Sequence, residues 1–307
     1  MTTPGITMMR AWPTSTLAVW AAARDAGRCA PDDVLHTLYD FAQAHELDGI
    51  STPLDRRDGL DQQDGLDRRD GLDRQAGLDQ QDGLDQQDGL DRPVGDALAL
   101  IGVLAGNAHL AIRMPAPGDA QGLPPDSLTE SAMASGEVLL IDPRPAGAEG
   151  PVHALALIAR GTPERCRWSL TRSQTPTAVD RLSADLPLGE LEYQLRDAVG
   201  EAAQIIAQLS GARAASPADL RDALAGMTQA RRIDLPPHDN PRVDRVLASA
   251  AQIDAIVALA GTPSVGVTGT QHELADERLR TLTALTRTAR TAAVNTCIVD
   301  YRRSARS

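Results

Sequence analysis

The chain has 307 residues, a formal net charge of −12 at pH 7 and 30 basic residues, all of them arginine. A chain of this length can bury a sizeable core, and it suggests about two domains of ordinary size. Because it contains no lysine, the chemistry excludes P-loop nucleotide hydrolases, pyridoxal enzymes and protein kinases, each of which depends on one. The acidic balance argues against nucleic acid as a partner and against binding to an anionic membrane surface.

The cysteine pattern and the hydropathy bear on the compartment. Cys29, Cys166 and Cys297 are far apart and form no CxxC pair, so neither a disulfide framework nor a zinc site is indicated. No stretch approaches the roughly 20 apolar residues that span a bilayer, and the N-terminus has no signal-peptide pattern. We therefore expect a cytoplasmic protein with buried thiols, no membrane segment, no metal and no cofactor.

Helical signals come first along the chain. Residues 1–14 are predicted to be a flexible N-terminus, followed by a helix at 15–27. Pro31 with two aspartates after it favours a second helix, whose apolar residues continue at helical spacing and which is expected to end near Gly49. A third helix is predicted to begin at Asp96 and to stop at 106–107.

Between the second and third helices, residues 54–95 repeat the phrase Leu-Asp-x-x-(Asp/Ala/Val)-Gly seven times. A left-handed β-helix would point the fifth residue inward and bury Asp in five of the seven units. An EF-hand needs a glutamate that this stretch lacks, and a period of six residues forms no apolar stripe on a helix. The array is predicted to be a disordered hexapeptide-repeat insertion.

The next part of the chain favours strands. Strands are predicted at 109–114, 137–142, 152–159 and 166–172, with a short helix at 127–134. In the last strand Cys166, Trp168 and Leu170 alternate with polar residues, which is typical of a sheet with one solvated face. Short connections between the last three strands favour an antiparallel meander.

From residue 188 onward the apolar residues recur at helical spacing. Helices are predicted at 188–211, 216–227, 240–261 and from 270 to beyond 299, which suggests a helical bundle or layer. The fold class expected is therefore α+β, with helices and a small, mostly antiparallel sheet followed by a helical C-terminal bundle. The predicted domains are an α+β domain at 15–175, interrupted by the insertion, and a helical domain or layer at 186–303.

Few residues suggest chemistry. Asp119 in a glycine-containing loop and Asp142 at a strand end are the candidate catalytic carboxylates, although turn chemistry explains both. Arg280 and Arg287 lie two turns apart on the last helix and could contact an anion or a partner, although a solvated face is commoner. The six histidines show no metal-ligand spacing.

The segments PAPGDAQGLP, SGEVLLID and LGELEYQLRDAV carry a resemblance over residues 96–203. The chain resembles an uncharacterised family of high-GC actinobacterial proteins, which implies a cytoplasmic protein without an assigned reaction. Three functions are compatible with the sequence. One is a non-enzymatic interaction or regulatory protein that binds an unknown protein through its C-terminal helices, and the second is a small-ligand binder or enzyme that uses the loops near Asp119 and Asp142. The third, which the acidic total charge disfavours, is nucleic acid binding through the arginine-rich segment 278–307.

Overall fold

The computed structural model describes residues 9–49, 88–182, 187–210, 217–260 and 269–305. The predicted α+β class, with a mostly antiparallel sheet and a helical C-terminal region, is confirmed. Most of the predicted insertion lies outside the described residues. The described elements are α1 (Pro13–Asp25), α2 (Pro31–Tyr39), β1 (Ala44–Gly49), α3 (Asp88–Val103), β2 (His109–Arg113), α4 (Ser127–Ser135), β3 (Val138–Asp142), β4 (Leu155–Gly161), β5 (Arg165–Arg172), α5 (Val179–Leu182), α6 (Leu188–Ser210), α7 (Pro217–Ala230), α8 (Pro241–Ala260) and α9 (Gly269–Ser304).

The five strands form one sheet in the order β1-β5-β4-β3-β2. The predicted antiparallel meander of β3, β4 and β5 is confirmed, and β2 extends it by pairing antiparallel with β3. A tight hairpin joins β4 to β5, in which Thr162 and Arg165 exchange backbone hydrogen bonds of 2.9 and 3.1 Å. Strand β1 closes the opposite edge by pairing in parallel with β5.

One face of the sheet, here called the inner face, is covered by helices. Alternate strand residues such as Ile112, Ile141 and Trp168 point into a core that also receives buried side chains of α1, α3, α6, α8 and α9. The C-terminal helices therefore share a hydrophobic core with the sheet. Among the described residues, no helix combines the length and apolar composition that a membrane span requires.

The other face, here called the outer face, is only partly covered. Helices α4 and α5 pack Leu128 and Val179 against apolar residues of β2, β3 and β4, which include Leu140 and Ile158. On β5 and β1 the residues of the same face are polar instead, because the register aligns Ile158 with Ser169 and then Ser169 with Asp48. Among the described residues, no helix covers the outer face of these two strands.

Three predicted helix boundaries are wrong. The second helix ends at Tyr39, and residues 44–49 form strand β1 instead of its last turns. The segment has no local strand signal, but pairing with β5 buries His45 on the inner face and turns Glu46 outward. Tertiary pairing here overrides local propensity.

The other boundary errors concern helix starts. Helix α3 begins at Asp88, inside the last repeat units, and not at Asp96. Helix α1 begins at Pro13, so Thr14, expected in a flexible N-terminus, is a fully buried helical residue. The remaining predicted helices and strands agree with the structure to within about three residues at each end, and the four-residue helix α5 was not predicted.

A buried histidine links β1 to the meander. The Nδ1 atom of His45 accepts a hydrogen bond of 3.0 Å from Trp168 Nε1, so the ring proton lies on Nε2, which is 3.0 Å from the carbonyl oxygen of Leu38. Burial lowers the pKa of His45, and hydrogen bonding to the backbone offsets only part of that effect. The neutral ring is the form that the fold accommodates.

Acid is therefore expected to destabilise the protein through His45. A pKa that is lower in the folded state gives stability that is present above the unfolded pKa of about 6.5 and is lost as the pH falls through the folded pKa. Melting temperatures measured from pH 8 to pH 5 should fall less in His45→Gln than in the wild type. His36→Gln, at an exposed position, is the control, and an identical pH dependence in wild type and His45→Gln would contradict the prediction.

Candidate functional site

The first candidate carboxylate, Asp119, lies in the turn that follows β2. Its backbone exchanges two hydrogen bonds of 2.9 Å with Ala116, and its Oδ1 accepts a hydrogen bond of 3.0 Å from the backbone N–H of Gln121. Its Oδ2 accepts a hydrogen bond of 3.0 Å from Nη2 of Arg287 on α9. The structure thus brings together two residues that the sequence had flagged for different reasons, and it joins them in an ion pair.

The second candidate, Asp142, is held by one arginine. Arg144 donates two side-chain hydrogen bonds of 2.9 and 2.7 Å to the carboxylate, which is almost completely buried. Burial by itself raises the pKa of Asp142, but the hydrogen bonds and charge of Arg144 outweigh it, so the pKa lies below its ordinary value. A carboxylate held ionised in this way is a poor general acid or base at neutral pH.

These candidates do not converge. Asp142 is paired across the sheet with His109 at the start of β2, whereas Asp119 follows the other end of that strand. His109 and His153 each hydrogen-bond to a backbone carbonyl, of residues 148 and 173 respectively. The two aspartates lie at opposite ends of β2 and do not form a joint acid and base pair.

The two arginines flagged on α9 also separate. Arg280 is exposed, and its Nε donates to the backbone carbonyl of Asp276 at 3.2 Å. Arg287 is largely buried, with a side chain that is 13% exposed, and it forms an ion pair with Asp119. Only Arg280 is oriented towards solvent, so the two do not present a common strip to a partner.

Three other buried ionisable groups, Glu137, Cys166 and Cys297, have surroundings that suit a structural role. Glu137 accepts hydrogen bonds from the backbone N–H groups of Thr14 and Ser15 and from the Ser15 hydroxyl, and so caps the start of α1. Burial raises the pKa of Glu137, and these donors offset only part of the rise. Burial also raises the pKa of Cys166 and of Cys297 to about 12, which keeps both thiols protonated and unreactive at neutral pH.

A cleft of about 380 Å³ near the end of α9 has most of its polar groups already engaged. Both ring nitrogens of His238 are used, one by Asp244 and one by the backbone N–H of Asn240. The Asn240 side chain donates to Asp300, and Tyr301 donates to two proline carbonyls. Within the described ranges, no three or more His, Cys, Asp or Glu side chains are grouped so as to hold a metal ion.

The better candidate is a groove on the outer face of the sheet, between α4 and β5, with a volume of about 300 Å³. It lies where the apolar cover of α4 ends and the uncovered part of the sheet begins. We call it the α4–β5 groove. It is lined by Asp126, Ser127, Leu128, Ser131, Ile158, Arg160, Ser169, Thr171, Arg172 and Gln174.

Helix α4 is fixed in place beside this groove at both ends. Asp126 caps its start by accepting a hydrogen bond of 3.2 Å from the N–H of Thr129, and Gly136 ends it in a left-handed conformation with φ 88°. Arg160 of β4 donates to the carbonyl of Ser131 at 2.6 Å, and the Ser135 hydroxyl donates to β4 at 2.8 Å. The wall of the groove is therefore tied to its floor.

The arginines in and beside the groove differ in whether they form ion pairs. Arg165 and Arg167 of β5 form ion pairs with Glu46 on β1, at 2.6 and 3.4 Å, outside the groove. Arg160 and Arg172 line the groove, and neither lies within ion-pair distance of a carboxylate in the part of the chain that the structure describes. Arg160 instead donates to the carbonyl of Ser131 at 2.6 Å, and Arg172 donates to the carbonyl of His153 at 3.4 Å. The lining of the groove thus combines two arginines, the carboxylate of Asp126 and several hydroxyl groups.

The sequence contained one signal for this site. The alternation in β5 predicted that Ser169 and Thr171 face solvent on one side of a sheet, and the burial pattern confirms it. It contained no signal for Arg160 or for the serines of α4, because their proximity to β5 depends on how α4 crosses the sheet. The four candidate site residues flagged from the sequence lie outside the groove; they are Asp119, Asp142, Arg280 and Arg287.

The fold and the groove define an α+β protein with a five-stranded mixed sheet, one fully covered face and a polar groove on the other. The chain belongs to the Rv1486c-like protein family. The family's N-terminal domain model matches residues 14–182, and its C-terminal domain model matches residues 189–291.

The relatives are mycobacterial, which confirms the predicted resemblance to an uncharacterised actinobacterial family. The uncharacterized protein Rv1486c of Mycobacterium tuberculosis (strain ATCC 25618 / H37Rv) is 29% identical over 303 residues, which cover 92% of this chain and 96% of the relative. The uncharacterized protein ML1804 of Mycobacterium leprae is 29% identical over 300 residues, with the same coverage. MAV321 of Mycobacterium avium, also uncharacterized, is 29% identical over 218 residues, 59% of this chain and 68% of its own. No solved structure shows a significant match.

Proposed function

We propose that this protein is a non-enzymatic regulatory protein that binds a small ligand in the α4–β5 groove. The observation that carries the proposal is the groove itself, a concave site of about 300 Å³ on the uncovered part of the sheet. Its volume lies at the lower end of the range of roughly 300 to 1,000 Å³ that is usual for ligand sites. Hydroxyl groups and arginines around an apolar floor of Leu128 and Ile158 suit orientation of a polar ligand.

The state of the candidate catalytic groups supports binding over catalysis. Asp119 and Asp142 are each engaged by an arginine, and the buried thiols of Cys166 and Cys297 are protonated. An acid, base or nucleophile needs a pKa near the working pH and access to a substrate. This geometry favours a ligand-binding role away from the loops of Asp119 and Asp142.

The cytoplasm is the proposed location. Cys29, Cys166 and Cys297 are all free thiols, which suits a reducing compartment. The net charge of −12 is the argument against nucleic acid as the partner. A protein partner that contacts the exposed side of the C-terminal helices, where Arg280 lies, is compatible with a regulatory role.

A thermal-shift screen of the full chain tests the proposal. The panel consists of sugars, polyols, nucleotides, carboxylic acids and phosphate esters. A ligand at a hundred times its Kd stabilises the folded state by about 2.7 kcal/mol, which corresponds to a rise in Tm of several degrees. We expect at least one class to give such a rise in the wild type, and we expect Ser169→Tyr, which fills the groove, to abolish it.

Two variants control the screen. Thr281→Tyr introduces the same phenol at an exposed position on α9, and Asp119→Asn alters the loop that the sequence flagged. Both should keep the response to the ligand. A response that survives Ser169→Tyr but is lost in Asp119→Asn would move the site to that loop and refute the groove.

A further inference from the structure

We infer that a second groove, beside helix α8, is a docking site for the Leu-Asp units of this chain's own repeat. The inference goes beyond the proposed function and does not depend on the α4–β5 groove or on its ligand. Two features of the described structure lead to it: a cluster of arginines with excess positive charge, and a partly apolar groove at the edge of that cluster.

Three arginines share one carboxylate where α6 packs against α8. Glu192 of α6 accepts a hydrogen bond of 2.7 Å from Nε of Arg245 and one of 3.1 Å from Nε of Arg242. Arg196 lies 3.9 Å from the same carboxylate. Within the described ranges, Glu192 is the carboxylate that lies within ion-pair distance of these three arginines. One negative charge against three positive charges leaves an excess of +2, in a chain whose net charge is −12.

The groove adjoins this cluster through Arg245 and has a volume of about 210 Å³. We call it the α8 groove. It is lined by Arg232, Ile233, Leu235, Asp244, Arg245, Leu247 and Ala248. Ile233 and Leu247 are buried at its base, whereas Leu235 is half-buried and Ala248 is exposed. The volume equals roughly seven water molecules at about 30 Å³ each, which leaves room for one side chain of the size of leucine.

The charges at the rim of the α8 groove favour an acidic segment. Arg232 makes no hydrogen bond or ion pair with the described residues, so its guanidinium is available to a carboxylate. Asp244 also lies at the rim, where it accepts a hydrogen bond of 3.2 Å from His238. When Arg232 and Asp244 are added to the cluster, four arginines stand against Asp244 and Glu192, and the excess remains +2.

The repeat carries the complementary chemistry. Residues 54–87 lie outside the described residues, and in their sequence every leucine is followed by an aspartate. Units 60–65 and 78–83 read LDQQDG, so each has a charge of −2. A leucine side chain suits the apolar base of the α8 groove, and the aspartate next to it suits the guanidinium of Arg232.

The points of attachment of the repeat allow it to reach the α8 groove. Residues 50–87 connect Gly49 at the end of β1 to Asp88 at the start of α3. A chain of that length spans up to about 130 Å, whereas a folded chain of 307 residues has a radius of gyration of about 19 Å. One leucine and one exposed ion pair bind weakly, but a covalent tether raises the effective concentration of a segment to about the millimolar range.

Photocrosslinking in the full-length protein tests the inference. Replacing Gln252 by p-benzoylphenylalanine places a photoreactive group at an exposed position one turn beyond Ala248, and mass spectrometry identifies the segment that it captures. We expect crosslinks to residues 54–87, and a mixture of isotopically labelled and unlabelled protein should show that both ends belong to one chain. The same group at Thr281, exposed on α9, is the positional control and should capture the repeat far less often.

Two further measurements assign the contact to the groove. Arg232→Gln should lower the crosslink yield about two- to fivefold, which is the range for loss of an exposed ion pair, and Arg280→Gln should leave it unchanged. The peptide LDQQDGLDQQDG at millimolar concentration should compete, whereas SNQQNGSNQQNG, which lacks the leucines and the charges, should not. Crosslinks that miss the repeat, join two chains, arise equally from Thr281 or persist unchanged in Arg232→Gln would each overturn the inference, and so would failure of the first peptide to compete.

Discussion

Replacement of Asn295 by alanine is expected to lower the free energy of unfolding by about 2–4 kcal/mol. The reason is that it removes the hydrogen-bond partner of a buried backbone N–H and C=O group at the edge of the sheet. Strand β2 is an edge strand, and α9 covers it. The Oδ1 of Asn295 accepts from the N–H of Ile112 at 2.7 Å, and its Nδ2 donates to the carbonyl of Ile112 at 3.2 Å. Both residues are completely buried, so the side chain replaces the neighbouring strand that β2 lacks.

Urea unfolding, with the midpoint and slope fitted together, measures this effect. Asn295→Asp keeps the acceptor but loses the donor and adds a buried charge, so it should be at least as destabilising as alanine. Asn107→Ala is the control, since Asn107 donates one hydrogen bond of 2.8 Å at the end of α3 and should cost only about 1 kcal/mol. Equal losses in Asn107→Ala and Asn295→Ala would show that the edge contact has no special weight.

Replacement of Arg290 by methionine is expected to cost about 3–5 kcal/mol, because it leaves the largely buried carboxylate of Asp254 without its positive partner. Arg290 is 1% exposed and contacts Asp254 at 2.6 Å, and the same aspartate accepts a hydrogen bond from Thr286. The guanidinium also lies 4.2 Å from the ring centroid of Trp12, which adds a cation–π contact. This cluster connects α8, α9 and the start of α1.

A double-mutant cycle separates the ion pair from the packing. In the double variant Arg290→Met and Asp254→Leu the unpaired charge is gone, so part of the lost stability should return. The control is Arg245→Met, in the exposed pair with Glu192 at 2.7 Å, which should cost no more than about 1 kcal/mol. Strictly additive losses at Arg290 and Asp254 would refute the coupling.

The local pattern was sufficient where an element buries one face along its own length. Helices α6, α8 and α9 each carry an apolar stripe, and the alternation of β5 separates buried Trp168 from solvated Ser169. The short connections from β3 to β5 leave room only for antiparallel pairing. These elements were predictable because the residues that determine each of them lie close together in the sequence.

Strand β1 was not predictable in this way. Its six residues have no strand signal of their own, and they become a strand because β5, about 120 residues later, aligns with them in parallel. Two hydrogen bonds fix this edge. Trp168 donates to His45, and the backbone N–H of Leu47 donates to the Asp96 carboxylate at 3.2 Å. Both contacts join distant parts of the chain, so no local rule indicates them.

What the sequence by itself determined is the α+β class, the meander, the exclusion of lysine-dependent enzymes and the family. The tertiary structure alone decided the candidate site. It placed Asp119 against Arg287, 168 residues away, and so engaged a carboxylate that the sequence had left open. It also placed α4 beside β5, so that residues of α4, β4 and β5 line one groove. The physical reason is that charge balance and cavity shape depend on contacts between distant segments, whereas element type depends mainly on the periodicity of neighbouring residues.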